Sequence, residues 1–274
     1  MRGRVGVSWT NVREFNPCGS VSAGEVELVE LSFADVNFVE LERDITELCG
    51  IVREDAGVRY TVHAPYQNSP FSAFRVNLAG GTGRLEVVER ALELAWKIEA
   101  EGVVVHAGDA LCRHALDNAA RNLRRIGRVA DAYGMYVAVE NVFTDEKGTR
   151  RVGELPHELL HLCELAGADC VSVNLDVGHA YISSMLHGCR VESYFEVLKG
   201  WIAHMHLHNN HGTALMPWDE HLPLFSGVID YRKMRRHLRA DNLVLEVKRG
   251  EAGELPSDIE FLRGGRMKRC AHTP

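Results

Sequence analysis

The chain has 274 residues, of which 46% are hydrophobic and 25% charged, and its formal net charge is −7. This length allows one large domain or two small ones, and the composition excludes a disordered chain. The negative charge argues against nucleic-acid binding through a generally basic surface. We find no signal peptide and no run of 18 apolar residues, so we expect a cytoplasmic protein without a membrane partner. Seven scattered cysteines without CxxC spacing suit reduced thiols.

Eight short segments rich in β-branched residues are predicted as strands. They lie at 5–9, 26–33, 60–66, 102–108, 136–141, 171–179, 202–209 and 242–247. Helical patterns follow most of them, at 36–49, 83–101, 113–133, 155–166, 190–200, 230–239 and 256–263. The connection at 10–25 is the weakest helix candidate. Alternating strands and helices imply parallel strands, and eight such units close most naturally into a (β/α)8 barrel, the TIM barrel.

The domain organisation follows from the absence of a linker rich in Ser, Gly or Pro. We therefore predict a single barrel domain over residues 1–264. The remaining residues, 265–274, form a basic tail that we interpret as a solvated terminus.

Polar side chains end most of the predicted strands, which is where barrels of this kind place their active sites. These residues are His63, His106, Glu140, Asp176, His179, His206, His208 and Glu246, and the loop after the seventh strand adds Asp219 and His221. Several carboxylates buried in one mouth repel one another unless cations neutralise them. Imidazole combined with carboxylate suits zinc, manganese or iron. The pattern therefore predicts a divalent-metal site.

The stretch WIAHMHLHNNHG, residues 201–212, contains four histidines. Alternate residues of one strand lie about 6.6 Å apart, so His204, His206 and His208 cannot all bind one ion. We interpret His206 as a metal ligand and His204 as a core residue that hydrogen-bonds inside the barrel. His208 is a candidate either for contact with substrate or for supporting a ligand.

Other chemistries find less support in the sequence. A GxSxG nucleophile elbow and a GxxxxGK[ST] phosphate loop are both absent. The segment AGGTGR, residues 79–84, could hold a phosphate, but glycines before a helix ordinarily make a turn.

Six segments together resemble a known superfamily. In order and spacing, HAPY, VVVHAG, VAVEN, NLDVGHA, HMHLHNN followed by DEHLPLFSGVID, and LVLEV resemble the xylose-isomerase-like barrels. These include endonuclease IV (AP endonuclease family 2) and many sugar isomerases and epimerases. The likeness covers about residues 60–247.

It implies four metal ligands common to both branches, and these are Glu140, Asp176, His206 and Glu246. In the isomerases this set holds one metal, and the two glutamates move a proton between neighbouring carbons.

Endonuclease IV has five further ligands and holds three zinc ions, and each ligand has a counterpart here. The resemblance implies one ion held by His63, His106 and Glu140, a second held by Glu140, Asp176, His206 and Glu246, and a third held by His179, Asp219 and His221. Tyr66 falls where the endonucleases carry a DNA-contacting tyrosine, and His208 stands where they use asparagine. We predict that Tyr66 and His208 face the substrate.

The sequence also departs from endonuclease IV. It has LDVGHAYISSM for LDTCHAxAAGYD, HLHNNHG for HLNDxK, and LFSG for LGxG. The loop that probes DNA after the second strand is not recognisable in SFADVNFVELERD. The segments DVGHA and HLHNN are closer to sugar-phosphate-isomerase-like members.

Three functional hypotheses follow. The complete set of nine ligands favours a hydrolase that cleaves a phosphodiester, with abasic DNA as a candidate substrate and up to three ions. Zinc is preferred, with manganese, cobalt or magnesium as alternatives. The alternative is a metal-dependent sugar or sugar-phosphate isomerase or epimerase that uses Glu140 and Glu246 as catalytic residues for proton transfer. A barrel that binds a ligand without chemistry ranks last, because no metal ligand is missing.

Overall fold

The computed structural model describes residues 3–33, 38–66, 76–81, 84–167, 169, 171–248 and 252–265. Three sequence-based predictions fall partly outside these residues. They are the basic tail from 266 onward, positions 82 and 83 of the AGGTGR segment, and positions 34–37 after the second strand.

Eight parallel strands form a closed barrel in chain order, which confirms the predicted fold. Each strand pairs with the next one, and the first pairs with the eighth. The strands are β1 (Arg4–Ser8), β2 (Leu28–Ser32), β3 (Arg59–His63), β4 (Gly102–His106), β5 (Tyr136–Glu140), β6 (Val171–Asp176), β7 (Ile202–Leu207) and β8 (Asn242–Leu245). Because all eight run in one direction, their carboxyl ends meet at one mouth.

Helices surround the barrel. They are α1 (Phe38–Ala56), α2 (Leu85–Lys97), α3 (Ala115–Ala132), α4 (Pro156–Ala166), α5 (Val177–His187), α6 (Glu192–Val197), α7 (Tyr231–Met234) and α8 (Leu255–Leu262). The connection at 10–25 contains only 3-10 turns, at Trp9–Asn11 and Ala23–Glu25, so the weakest helix candidate is not an α-helix. No helix in the described part of the chain is long and apolar enough to cross a membrane.

The boundary between β6 and α5 differs from the sequence-based prediction. We predicted one strand over 171–179, but β6 ends at Asp176 and α5 begins at the next residue. Asp176 is the N-cap of this helix, and its Oδ1 accepts a hydrogen bond from the backbone N–H of His179 at 2.7 Å. His179 therefore lies on the first helical turn and not on a strand.

The barrel has an apolar outer layer and a partly polar interior. Leu92, Leu123, Ile126, Leu159 and Leu162 are fully buried in helices and pack in the hydrophobic core. Inside the barrel, polar side chains hydrogen-bond to one another across strands, and they include the half-buried Tyr136 and the buried Glu30, Thr61, His204, His206 and Asn242. This interior network lies directly beneath the mouth and supports the side chains there.

Asp258 is a buried carboxyl on α8. Its Oδ2 accepts a hydrogen bond from the Leu224 backbone N–H at 3.0 Å, while Oδ1 has no hydrogen-bond partner among the described residues. Burial raises the pKa of Asp258 from 3.8 to about 7, although the Leu224 N–H opposes this rise. The folded chain therefore favours the neutral acid.

We expect Asp258→Asn to stabilise the protein at about pH 8 and to have little effect at about pH 5. Because the pKa of Asp258 is raised on folding, the native state binds more protons than the unfolded state between about pH 4 and 7, and the free energy of unfolding falls as pH rises through this range. Asparagine cannot ionise, so the gain at high pH should be of the order of 1 kcal/mol or more. Urea unfolding at both pH values measures it, and an equal effect at both would contradict this account.

Candidate metal centre and active site

The structure brings all nine predicted metal ligands together at the carboxyl ends of the strands. Their donor atoms form groups within 4.8 Å of one another, and these groups are His63, His106 and Glu140; Asp176, His206 and Glu246; and His179, Asp219 and His221 together with His208. They adjoin a cleft of about 530 Å³. The first and third groups match ligand sets that the resemblance implied. Ion binding by these groups remains a prediction.

Glu140 lies at the centre of the arrangement. It is paired in register with His106 on the neighbouring strand, and only 1% of it is exposed. Its carboxylate oxygens lie 3.4 Å from His63 Nε2, 3.5 Å from His106 Nε2, 3.1 Å from His179 Nδ1 and 3.2 Å from His206 Nδ1. Burial alone would raise the pKa of Glu140, yet the positive charges of His206 and His106 hold it well below its usual range. Glu140 belongs to two of the candidate ligand groups, and a role as a carboxylate that bridges two ions stays a prediction.

Three carboxylates surround Nδ1 of His206. Glu246 Oε2 lies 3.1 Å from it, Glu140 Oε2 3.2 Å and Asp176 Oδ2 3.8 Å. Nitrogen and oxygen ligands of a tetrahedral zinc ion lie about 3.3–3.6 Å apart, given its usual bond lengths. Burial would raise the pKa of Glu246, but His206 and His221 lower it to about 2. The spacing and the concentration of negative charge both fit a divalent cation.

Buried polar atoms without hydrogen bonds provide further support for cation binding. Among the described residues, His106 Nε2 and Asp219 Oδ1 are buried and have no hydrogen-bond partner. His106 Nε2 points at Glu140, and Asp219 Oδ1 lies 3.7 Å from His208 Nε2. A buried polar atom without a hydrogen-bond partner lowers the stability of the folded chain, unless an ion or a water molecule supplies the missing contact.

Sequence analysis missed Glu30, which lies on β2 inside the barrel. Its Oε1 accepts a hydrogen bond from His206 Nε2 at 2.6 Å, and its Oε2 accepts one from the Thr61 hydroxyl at 2.9 Å. A carboxylate only accepts, so Nε2 of His206 carries a proton, and the other ring nitrogen, Nδ1, faces the carboxylates of the mouth and the Asn174 amide nitrogen at 3.0 Å. The available signal was a glutamate between Val29 and Leu31 in an otherwise apolar strand.

The remaining predicted residues lie close to these groups. His204 is fully buried, with Nδ1 3.2 Å from the Tyr136 hydroxyl, as expected for a core residue that hydrogen-bonds inside the barrel. Tyr66 lines the cleft and stacks on His106 at 4.5 Å, so it is placed to face a substrate. His208 is also fully buried and is not among the residues that line the cleft. The prediction that His208 faces the substrate therefore finds no support in its placement.

Sequence analysis also missed two basic residues that line the mouth, Arg151 and Lys248. Arg151 is 6% exposed and forms ion pairs with Asp109 and Asp145. Both basic residues lie outside the helices and strands. Such segments have no regular spacing of hydrophobic residues, so the sequence does not indicate which of their side chains point into the mouth.

Comparison with known proteins identifies the family of this chain. Residues 21–264 match the family model described as xylose isomerase-like TIM barrel. The chain belongs to this family. An uncharacterised protein of Methanocaldococcus jannaschii is 23% identical over 221 residues, which are 75% of this chain and 77% of the relative. The family match covers most of the barrel, including every predicted ligand.

Two solved structures have a similar fold. A "D-tagatose 3-epimerase-like protein" has a TM-score of 0.69 and 22% identity, with 95% of this chain and 98% of that chain covered. A "probable 3-DHS dehydratase" of petrobactin synthesis from Bacillus anthracis has a TM-score of 0.71 and 16% identity, with 96% and 99% covered. Neither of the two is described as a hydrolase or a DNA-repair enzyme. The sequence-based preference for an endonuclease-like hydrolase is therefore not supported, and the isomerase or epimerase alternative is the better fit.

We expect Glu30→Gln to weaken binding of a divalent ion about 10- to 100-fold, because a neutral amide is a poorer acceptor for His206 Nε2–H and leaves the imidazole less basic. Glu27→Gln is the matched control, since Glu27 precedes the same strand at the surface and accepts a hydrogen bond from Val5 N–H. Competition with a chelator measures the affinities. Equal affinities in both variants and the unaltered chain would show that Glu30 does not support the site.

Proposed function

We propose that this chain is a divalent-metal-dependent isomerase or epimerase of a sugar or sugar phosphate, with Glu140 and Glu246 as the groups that move the proton. One observation carries the proposal. The two carboxylates approach the same atom, His206 Nδ1, at 3.2 Å and 3.1 Å, and both border the cleft. Two carboxylates held beside one substrate can remove a proton and return one.

The ligand chemistry suits zinc, and manganese, cobalt or magnesium are alternatives. Asp176, His206, Glu140 and Glu246 would hold the ion next to the cleft, and further ions would lie at the other two groups. When bound, the ion polarises carbonyl and hydroxyl oxygens of the substrate, which acidifies the neighbouring C–H bond.

The two glutamates differ in exposure, which suits different roles. The side chain of Glu246 is 29% exposed and that of Glu140 is 1% exposed. The pKa of Glu246 is lowered to about 2, so this carboxylate is ionised at neutral pH but is a weak base. Removal of a proton from a substrate carbon would therefore depend on the bound ion, which acidifies the C–H bond. Four imidazoles contact the Glu140 carboxylate, so it is held more rigidly than Glu246 when it exchanges the proton.

The size of the cleft and the fold comparison agree with a small substrate. A volume of about 530 Å³ lies within the range of sites for small molecules. The similarity in fold to a D-tagatose 3-epimerase-like protein supports a sugar as the substrate class. Tyr66, stacked on His106 at the edge of the cleft, would contact the substrate.

A phosphodiester hydrolase is the second candidate, and the convergence of all nine ligands favours it. An endonuclease needs contacts to a duplex in addition to its metals. The sequence after β2 lacks a recognisable DNA-probing loop, so we rank this candidate lower.

We expect the metal-loaded protein to exchange a substrate C–H with solvent deuterium when it is incubated in D2O with a panel of ketoses, aldoses and their phosphates. Glu246→Asp keeps the charge but withdraws the carboxylate, so exchange should fall about 100- to 10,000-fold. Bound metal is measured in the same samples, and NMR follows the exchange.

Glu89→Asp is the matched control. Glu89 lies on α2, pairs with Arg125 on α3 and is not among the residues that line the cleft, and its side chain is 29% exposed, as is that of Glu246. Absence of exchange across the whole panel by metal-loaded protein would refute the proposal. Nicking of an abasic duplex by the same preparation would favour the hydrolase.

A further inference from the structure

Arg151 is a buried cation in the wall of the cleft. Its guanidinium forms an ion pair with Asp109, and its Nη2 lies 2.9 Å from Asp145 Oδ2. All three side chains line the cleft, and we call them the rim triad. Asp109 lies on the loop after β4, and Asp145 and Arg151 lie on the loop after β5. The rim triad therefore lies just beyond the strand ends that carry His106 and Glu140.

The backbone places Asp109 and Arg151 opposite each other. The two residues form an antiparallel bridge, and the Val152 N–H donates to the carbonyl of Gly108 at 3.0 Å. Gly108 has a φ of +102°, which favours glycine, and a Cβ atom there would lie 2.1 Å from Asn77 Oδ1. The same oxygen accepts a hydrogen bond from the Asp109 N–H at 3.0 Å. The position of Asp109 is thus fixed from both sides.

Asp145 is held equally firmly. Its Oδ1 accepts hydrogen bonds from the backbone N–H groups of Lys147 at 3.0 Å and Thr149 at 2.8 Å, while its Oδ2 faces Arg151. The rim triad is therefore ordered before any ligand arrives. A site whose polar groups are already in place loses less entropy when it binds a ligand.

Stability alone does not account for a buried ion pair at this place. Charges lose their hydration when they are buried, and apolar side chains of similar volume are often as stable or more so. The rim triad instead presents fixed acceptors and donors to a cleft that Tyr66 and Phe143 also line. Aromatic rings combined with a few fixed polar groups are the usual composition of a small-molecule site.

The charge of this wall selects the kind of group that it can bind. Glu146 lines the cleft next to Asp145, so three carboxylates and one guanidinium give the wall a formal charge of −2. A phosphate placed there would be repelled by the carboxylates. A hydroxyl group can both donate to a carboxylate and accept from a guanidinium, so it suits the rim triad.

We propose that Asp109, Arg151 and Asp145 form a subsite for the hydroxyl groups at one end of the substrate, and that this end carries no phosphate. Asp109 accepts hydrogen bonds from the hydroxyls, and Arg151 donates to their oxygens. Asp145 holds the guanidinium in position. This inference rests on the proposed function, because it assigns one end of the sugar to the loops after β4 and β5.

Calorimetric titration of the metal-loaded full chain tests the subsite with ligands that cannot react. The probes are D-sorbitol, D-mannitol and galactitol, which lack a carbonyl group, together with the 1-phosphate and the 1,6-bisphosphate of mannitol. A monophosphate can still place its free end in the subsite, whereas the bisphosphate cannot do so in either orientation. We expect the bisphosphate to bind at least about tenfold more weakly than the monophosphate.

Substitutions connect this preference to the rim triad. Arg151→Lys keeps the charge but loses the planar fork, and it should weaken binding of the tightest hexitol about 10- to 100-fold. Arg150→Lys is the matched control, because the neighbouring Arg150 pairs with Glu154 and Glu158 and is not among the residues that line the cleft. Bound metal and circular dichroism check that each variant is intact.

Asp109→Asn separates recognition from general damage. It removes one negative charge from the wall, so the difference in affinity between monophosphate and bisphosphate should shrink at least about threefold. A loss of structure would weaken both ligands alike and leave their ratio unchanged.

The outcomes distinguish the subsite from the proposed reaction. Hexitol affinities that are unchanged in Arg151→Lys, or a bisphosphate that binds as tightly as the monophosphate, would overturn the subsite. So would a chain that exchanges a sugar proton with solvent but binds none of the hexitols. A chain that binds hexitols through Arg151 but exchanges no sugar proton would refute the proposed reaction and leave the subsite in place.

Discussion

The mouth of the barrel depends on the burial of the Glu140 carboxylate. A carboxylate that is 1% exposed is stable only if positive charge surrounds it, and four imidazole nitrogens lie within 3.5 Å of its oxygens. The closed parallel barrel makes this possible, because β3, β4, β5 and β7 each carry a side chain to the same level, and α5 adds another from its first turn. Divalent cations at the same place would hold the carboxylates with neutral imidazoles.

A chain of polar contacts continues from the mouth into the interior of the barrel. His206 donates to Glu30, and His204, 3.2 Å from the same glutamate, contacts the Tyr136 hydroxyl. Tyr136 in turn accepts a hydrogen bond from Asn242, whose amide oxygen accepts one from Arg4. A polar column therefore runs from the mouth to β1 at the opposite end of the barrel. Each member fixes the orientation of the next, so the ring of His206 is set by residues far from the cleft.

The fold and the placement of most candidate ligands could be predicted because the strands are short β-branched runs, most of which carry a polar residue at or next to the carboxyl end. His63, His106 and Glu140 are the last residues of their strands, and His206 is the last but one of β7. The start of α5 could not be predicted, because Asp176 serves both as the last residue of a strand and as a helix N-cap, and the apolar pattern continues across it. Glu30 was missed because its partners, Thr61 and His206, are distant in sequence and meet it only in the closed barrel. The close contact between the His208 ring, which follows β7, and Gly178 on the first turn of α5 likewise joins residues that are distant in sequence.

The number of ligands does not by itself decide the reaction. Nine metal-type residues favoured a hydrolase because a single-metal isomerase has no use for Asp219 and His221. That argument assumes that every ion in the mouth takes part in the chemistry. His179 Nε2 and His221 Nε2 lie 3.4 Å and 3.0 Å from Asp219 Oδ2, so these three side chains tie the loop after β7 to the first turn of α5. Residues of the metal-ligand type can therefore serve the scaffold of the mouth without taking part in the reaction. At the cleft itself, a pair of glutamates lies beside one histidine, and the proposed proton transfer depends on this arrangement.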